Sequence, residues 1–286
     1  MAESADDQVT ALVRAVTAGP KYRGVAPDLI AAIGARELRK RESPKEAIKE
    51  TKTLLHQIHG AFFTHTPRYD ALLNLLRESA KPGPAVFRSA LLQIMRLHAS
   101  TAERAPLLDR FYTETLAGLP PIRSVLGLGC GLNPLSIPWM GLPADVTFSC
   151  CDIDAGLVEF LNGFFQLSGI NGTAEVRDLT RNPPPQAADL VLALKLLPTL
   201  ETLEHGAGAA LLRAVRAPWM LVSFAARSLG GRRAGLARRP GESFMALARE
   251  EGWSVEPRIF PGEVVYVTTK GLTREERDSM PRFIGS

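Results

Sequence analysis

Three kinds of residue in this 286-residue chain have types and spacing suited to chemistry: closely spaced glycines, acids that follow them in order, and clustered arginines. The run Ser124-Val-Leu-Gly-Leu-Gly-Cys-Gly131 places glycine at 127, 129 and 131 at the end of an apolar stretch. Glycine there permits a positive φ and lets the backbone approach a ligand that a Cβ would block. About 20 residues on, Phe148-Ser-Cys-Cys-Asp152-Ile-Asp154 ends a second apolar run with an acid, the position from which a carboxylate accepts both hydroxyls of a ribose. Strand alternation selects Asp152 for that role and leaves Asp154 to cap the helix that follows. A third acid, Asp178 in Glu175-Val-Arg-Asp-Leu179, comes after the next predicted strand, where an adenine amino group needs an acceptor. Each feature alone has a plain structural explanation, a tight turn for the glycines and a helix cap or solvated loop for each acid. The ordered set points to a nucleoside cofactor. Because the turn continues into Leu132-Asn133-Pro134 rather than a GxxG helix start, it favours the methyl donor S-adenosylmethionine over a nicotinamide.

The elements that must position these residues are readable from hydrophobic period. Residues 7–16, 27–39, 44–59, 69–76, 84–95 and 101–116 carry apolar residues at three-to-four spacing and read as helices. Pro27, Pro44 and Pro84 sit in first turns, Ser43 is placed to cap the third helix, and Ser100 with Glu103 has the spacing of a capping box. From Pro121 the pattern changes to short apolar runs, at 123–128, 146–152, 174–177, 190–194 and 219–224, with helices at 157–167, 206–216 and 243–251. A closing pair, 254–260 and 263–269, flanks Pro261-Gly262 as a hairpin. The expected fold is α/β: a class I methyltransferase Rossmann-like sheet behind an all-helical N-terminal domain. The division is residues 1–104 for the helical domain, 105–270 for the methyltransferase domain and 271–286 for a C-terminal tail.

Composition narrows the setting. With 45% hydrophobic residues the chain can build its own core. Cys130, Cys150 and Cys151 are too few for a disulfide framework and form no CxxC pair, which fits a reducing compartment and no metal. The acidic start and the lack of a long apolar run predict a cytoplasmic protein without membrane contact. His56, His59 and His65 lie close together, but lack a cysteine or carboxylate at ligand spacing and are read as packing or RNA-facing residues. The net charge of +4 is uneven: residues 1–104 carry an excess of +5, and 227–239 hold five arginines, Arg227, Arg232 and Arg233 among them, with no acid. Two basic blocks flank a less basic centre, an arrangement that a polyanionic partner could bridge, while either block alone reads as solvated surface.

At finer grain, Leu97-His-Ala-Ser-Thr-Ala-Glu-Arg104, Leu108-Asp-Arg-Phe-Tyr112, Cys130-Gly-Leu-Asn-Pro134, Pro138-Trp-Met-Gly-Leu-Pro143, Asp152-Ile-Asp154, Leu194-Lys-Leu-Leu-Pro198, Leu200-Glu-Thr202 and Ser228-Leu-Gly230 occur in co-linear order. Together they resemble the aminoglycoside-resistance 16S rRNA methyltransferases, which methylate N7 of a decoding-site guanine in the small ribosomal subunit. The resemblance spans residues 21 to 270. It implies that Arg104 holds the methionine carboxylate of the cofactor, that His98, Ala99 and Ser100 line the same pocket, and that Phe62 closes over it from the helical domain. It implies the same cofactor roles for Gly129, Asp152 and Asp178, and adds Leu179 at the adenine and Leu194 at the fourth strand. Two positions depart from the family pattern: Leu203 stands where a polar glutamine is expected, and Gly127 where an acid is usual.

Guanine N7 carries a lone pair and no proton, so this reaction asks for no general base and no catalytic acid–base pair is assigned. Lys195, at the exit of the fourth strand, is a candidate for phosphate or base, with a salt bridge to an acid such as Asp178 as its structural alternative. The expected partner is 16S rRNA in the 30S subunit, approached by a monomer. Methylation of adenine N1 by the same fold, and an inactive rRNA-binding assembly factor, are the competing readings.

Overall fold

Proline and hydrophobic period set most helix boundaries in the N-terminal region. The protein, seen in a computed structural model, is described for residues 4–60, 62–63, 67–226 and 240–271. Arg227, Arg232, Arg233 and His65 therefore lie outside the described residues. Helices α1 (Ala5–Thr17), α2 (Pro27–Lys40), α3 (Pro44–Leu55), α4 (Tyr69–Ala80) and α5 (Pro84–Met95) follow one another, the second, third and fifth each with proline in the first turn. Ser43 caps α3 as expected, accepting from the Glu46 amide at 3.3 Å.

Two helices depart from the sequence reading. α3 stops at Leu55 and widens into a π-helical turn, His56–Gly60. At Gly60 a Cβ would lie 2.7 Å from His56 Nδ1 and 2.8 Å from Lys21 Cε, so a side chain there would have to displace these groups. The run 101–116 is not one helix. It divides into α6 (Ala99–Arg104), a 3-10 turn over Ala105–Leu107, and α7 (Leu108–Leu116). Pro106 is the physical reason, because it lacks an amide donor and its ring clashes with the carbonyl one turn back. The Ser100–Glu103 capping box is not formed: α6 begins on His98 without a side-chain cap, and Glu103 turns instead to Lys195.

The second half is a seven-stranded sheet in the order β3-β2-β1-β4-β5-β7-β6. The strands are β1 (Ser124–Leu128), β2 (Thr147–Asp152), β3 (Asn171–Val176), β4 (Leu190–Leu194), β5 (Trp219–Ala225), β6 (Ser254–Phe260) and β7 (Glu263–Thr269). The first five pair in parallel, β7 runs antiparallel to β5, and β6 and β7 form the expected hairpin. α8 (Ala155–Ser168), α9 (Leu197–Leu203), α10 (Ala207–Ala214) and α11 (Pro240–Glu250) are the remaining described α-helices, and 3-10 turns lie at Pro20–Tyr22 and Asn133–Trp139. Strand order reverses between β1 and β4, and ligands of open α/β sheets bind in the crevice at that switch point.

Three apolar cores hold the layers. One joins Leu76, Ala90, Leu91, Ile94 and Met95 of α4 and α5 to one face of the sheet and α8. A second covers the other face with α9, α10 and α11. The third is built by α1, α2 and α3 and reaches the sheet layer through Leu203. Helices α4 and α5 thus pack as part of the sheet's own core, while α1–α3 keep a core of their own. Among the described residues no helix is long and apolar enough to cross a membrane.

Candidate functional site

The glycine turn leaves β1 with Gly129 at φ 51° and Gly131 at φ 49°, conformations that side-chain-bearing residues rarely adopt. Space is tight as well: a Cβ at Gly129 would sit 2.6 Å from Leu196 Cδ1, and one at Gly131 3.0 Å from the His98 ring. Gly127 faces the side chains of Cys150 and Cys130, with its virtual Cβ 3.2 Å from Cys150 Cβ. A side chain at 127 would thus start in tight contact with Cys150.

Asp152 ends β2 below this turn. Its Oδ2 accepts from the Gly131 amide at 2.9 Å and its Oδ1 from the Ile153 amide at 2.7 Å. Burial pushes its pKa up, while those amides and nearby His59 oppose the rise. Asp154 is the helix cap, as alternation predicts: its Oδ1 accepts from Gly156 and Leu157 at the start of α8. Its Oδ2 accepts from His59 Nε2 at 2.9 Å and from the Tyr69 hydroxyl at 3.1 Å, tying the π turn and α4 to the end of β2. Burial works against the Asp154 charge, but the His59 contact and these hydrogen bonds hold its pKa below the usual carboxylate value.

Asp178 follows β3, where Oδ1 accepts both the amide of Thr180 at 2.9 Å and its hydroxyl at 2.6 Å. Its Oδ2 has no hydrogen-bond partner among the described residues. Leu179 and Leu194 supply apolar surface beside it, and both line the same cavity.

Arg104, only 2% exposed, reaches the cavity from α6. Its guanidinium is already engaged: Nε and Nη2 donate to Glu263 at 3.2 and 2.7 Å, and Nη1 to Asn133 Oδ1 at 2.8 Å. Glu263 also accepts from the Ser223 hydroxyl at 2.5 Å and lies 3.7 Å from Lys195 Nζ. Burial opposes the Glu263 charge, but Arg104 above all, then Lys195 and Ser223, bring its pKa below the ordinary value. Three of the five N–H donors of Arg104 are thus engaged within the protein.

Lys195 occupies a left-handed backbone position, φ 57°, the only such non-glycine residue described. The acid it pairs with is not Asp178: its Nζ lies 2.5 Å from Glu103 Oε2, with Glu263 on the other side. His98 stacks parallel to Phe62, ring centroids 5.3 Å apart, and edge-on to Phe63 at 4.8 Å. Its Nδ1 is buried without a partner, and burial above all, with His59, Arg104 and Lys195 adding, lowers its pKa to about 4.

One cavity therefore collects Phe62, His98, Ser100, Arg104, Gly129, Asp152, Asp178, Leu179, Leu194 and Lys195. Ala99 does not line it. It is exposed on the first turn of α6, and its amide donates to the Phe62 carbonyl at 2.8 Å. Leu203 does line the cavity while belonging to the α1–α3 core. Sequence reasoning missed Glu263, Glu103 and Asn133. For Glu263 a signal existed, an acid opening the run Glu263-Val-Val-Tyr-Val267, because a charge at the head of an apolar strand needs a buried counter-charge.

A family model described as ribosomal RNA methyltransferase (FmrO) matches residues 18–267. A 16S rRNA (guanine(1405)-N(7))-methyltransferase of Frankia casuarinae is 37% identical, over 93% of this chain and 95% of its own. One of the same name from Micromonospora rosea is 35% identical over 93% and 98%. Among solved structures, the 16S rRNA methyltransferase RmtF in complex with S-adenosyl-L-homocysteine superposes with a TM-score of 0.79 at 32% identity, over 93% of this chain and 99% of that one.

Proposed function

The chain belongs to the FmrO family of ribosomal RNA methyltransferases, and from that premise we propose that it transfers a methyl group from S-adenosylmethionine to N7 of a decoding-site guanine in 16S rRNA, acting as a monomer on the 30S subunit. The observation that carries the reading is the convergence of Arg104, Gly129, Asp152 and Asp178, from four separate segments, on one cavity at the switch point of the sheet. Large exposed apolar side chains among the described residues, Val86, Leu97, Val176 and Ile259, are scattered over different elements, which supports a single chain as the working unit.

The residues present suit the cofactor. Asp152 retains lone pairs for ribose hydroxyls, Asp178 Oδ2 accepts the adenine amino group between Leu179 and Leu194, and the spare donors of Arg104 meet the methionine carboxylate. When bound, S-adenosylmethionine supplies an electrophilic methyl on a sulfonium, and guanine N7 offers a lone pair with no proton to remove. What remains for the chain to supply is orientation and charge. His98, held neutral by burial, adds no cation beside the donor. Glu263 keeps both Arg104 and Lys195 compensated, so that the pocket is not strongly cationic before ligands arrive. The helical segment 1–104, with its excess of positive charge, and the arginines at 227, 232 and 233 hold the folded rRNA through phosphates.

The deciding experiment is methylation of purified 30S subunits followed by primer extension. The expected result is a stop in the decoding region only after chemical cleavage at the modified base. A stop without cleavage would assign the methyl to a base-pairing edge such as adenine N1 and overturn the proposal. An expressing strain should resist 4,6-linked aminoglycosides and remain sensitive to apramycin.

A further inference from the structure

Glu103 and Lys195 form an ion pair at 2.5 Å that the cofactor residues do not need. Glu103 stands in the last turn of α6, the end of a helix at which the dipole disfavours an acid, and it caps nothing there. Its side chain is 58% exposed, and a pair with one exposed partner adds little stability and opens readily. Lys195, by contrast, lines the cofactor cavity at the exit of β4.

The fold holds Lys195 there against strain. Its left-handed backbone, φ 57°, is one that residues bearing a side chain rarely adopt, and such strain gathers at functional sites. Its amide donates to both the carbonyl and the hydroxyl of fully buried Ser223, at 3.1 and 3.0 Å. Among the described residues the Lys195 ammonium makes one hydrogen bond, to Glu103 Oε2, with Glu263 3.7 Å away, so that N–H donors remain over. Glu103 Oε1 has no hydrogen-bond partner among the described residues. Beside it the β6–β7 hairpin turns on Gly262, where even a Cβ would stay 4.0 Å from Oε2. A spare donor on the cavity wall thus stands next to a spare, exposed acceptor.

N7 alone does not choose between purines, because guanine and adenine both carry a bare lone pair there. The choice falls to the atoms that follow N7 around the ring. In guanine these are the O6 acceptor and then the N1–H and N2–H donors; in adenine they are the N6 amino donor and then the N1 acceptor. An ammonium beside a carboxylate offers a donor and then an acceptor, the order in which cytosine meets guanine, and it sets donor against donor in adenine. Resting on the rRNA methyltransferase reading above, we propose that Glu103 is a specificity-determining residue for the target base: its carboxylate accepts from guanine N1–H and N2–H while Lys195 donates to O6, leaving N7 toward the methyl donor. A base read on that edge is unpaired and out of its stack, as enzymes that act on bases require.

The test follows labelled methyl transfer in single turnover to 30S subunits carrying guanine or adenine at the target position, by wild type, Glu103→Ala, Glu103→Gln and Glu103→Gln/Lys195→Met. Wild type should prefer guanine by at least about 10-fold, and Glu103→Ala should slow guanine methylation by about 10- to 150-fold. Glu103→Gln, whose amide donates to adenine N1 as well as accepting from guanine, should narrow the guanine-to-adenine ratio by at least about 10-fold. The double variant should be slower on guanine than Glu103→Gln, and calorimetric S-adenosylmethionine affinity should be unchanged in both single variants. If Glu103 only neutralises Lys195, the double variant strands no charge and regains the wild-type rate and ratio; that result overturns the proposal. A Glu103→Ala enzyme as fast as wild type on guanine overturns it too, as does a wild type that methylates both purines equally. Wild type that leaves guanine N7 unmethylated would instead overturn the enzyme reading, so the two failures are distinguishable.

Discussion

Replacing Glu263 by glutamine probes the charge arrangement at the end of the cofactor cavity. The side chains of Arg104 and Glu263 are 1% and 4% exposed, and two hydrogen bonds join them. Glutamine has nearly the same shape, but its amide group would turn a donor toward a guanidinium donor and leave the cation of Arg104 uncompensated beside Lys195. Removing one partner of a buried pair costs about 3–5 kcal/mol, because the remaining charge stays desolvated. Taking about 3 kcal/mol, a chain of this size should lose roughly 6–12 °C in Tm. Urea unfolding of Glu263→Gln, Arg104→Met and the double variant gives the decisive comparison. Once both charges are gone no ion is stranded, so the double variant should be more stable than the sum of the single losses by at least about 2 kcal/mol. The pH dependence carries the same signature. The Glu263 pKa lies below its ordinary value, so its stabilisation is present above the unfolded carboxyl pKa and fades as pH falls through the folded one; the glutamine variant lacks that fading component. A Glu263→Gln protein within about 1 kcal/mol of wild type, or a cycle without coupling, would refute a buried pair at this position.

Three further outcomes are expected. Asp152→Asn should weaken S-adenosylmethionine binding by about 1.5–3 kcal/mol, roughly 10- to 150-fold by calorimetry, because charge-assisted hydrogen bonds to the ribose are lost while the Gly131 amide still finds an acceptor; unchanged affinity would remove Asp152 from the site. Gly129→Ala forces a side chain into φ 51° and against Leu196 Cδ1 at 2.6 Å, so stability should fall by roughly 1–3 kcal/mol, and Leu196→Ala in the same chain should recover part of it. His98, with its pKa near 4, stays neutral in the fold where an unfolded histidine, near 6.5, already binds a proton. The unfolded state then holds more protons between those values, so stability should rise from pH 4 to 6.5 by on the order of 2–3 kcal/mol from this residue, and His98→Phe should flatten that segment of the profile.

What the sequence made legible is what neighbouring residues determine. The strand–glycine–strand–acid order of Ser124 to Asp154 needs only local period and turn chemistry, and it appears in the fold as read, down to Asp154 capping α8. The β6–β7 hairpin was equally readable, because Pro261-Gly262 separates two clear strands. At the edge of the sheet the signal fails: β3 begins with exposed Asn171, half-buried Gly172 and exposed Thr173, whose strand state comes from pairing with β2. Helix period likewise carried the reading through Pro106, where a proline breaks the helix, and past Leu55, where the backbone widens into the π turn His56–Gly60.

The charge partners at the cavity's end depend on contacts far apart in sequence, and no spacing rule reaches them. Arg104 and Glu263 are 159 residues apart, Lys195 and Glu103 92. Each of these residues, taken singly, reads as an exposed charge or a ligand contact. Only the sheet, by setting β7 beside β5 and β5 beside β4, brings Glu263, Ser223 and Lys195 to one end and lets α6 lay Arg104 across them. The resemblance to known rRNA methyltransferases implied a ligand role for Arg104 but was silent on its counter-ion. That counter-ion limits what the guanidinium can do: two of its donors are committed to Glu263 and one to Asn133, so under the proposed role only the two remaining N–H groups would be open to a ligand carboxylate.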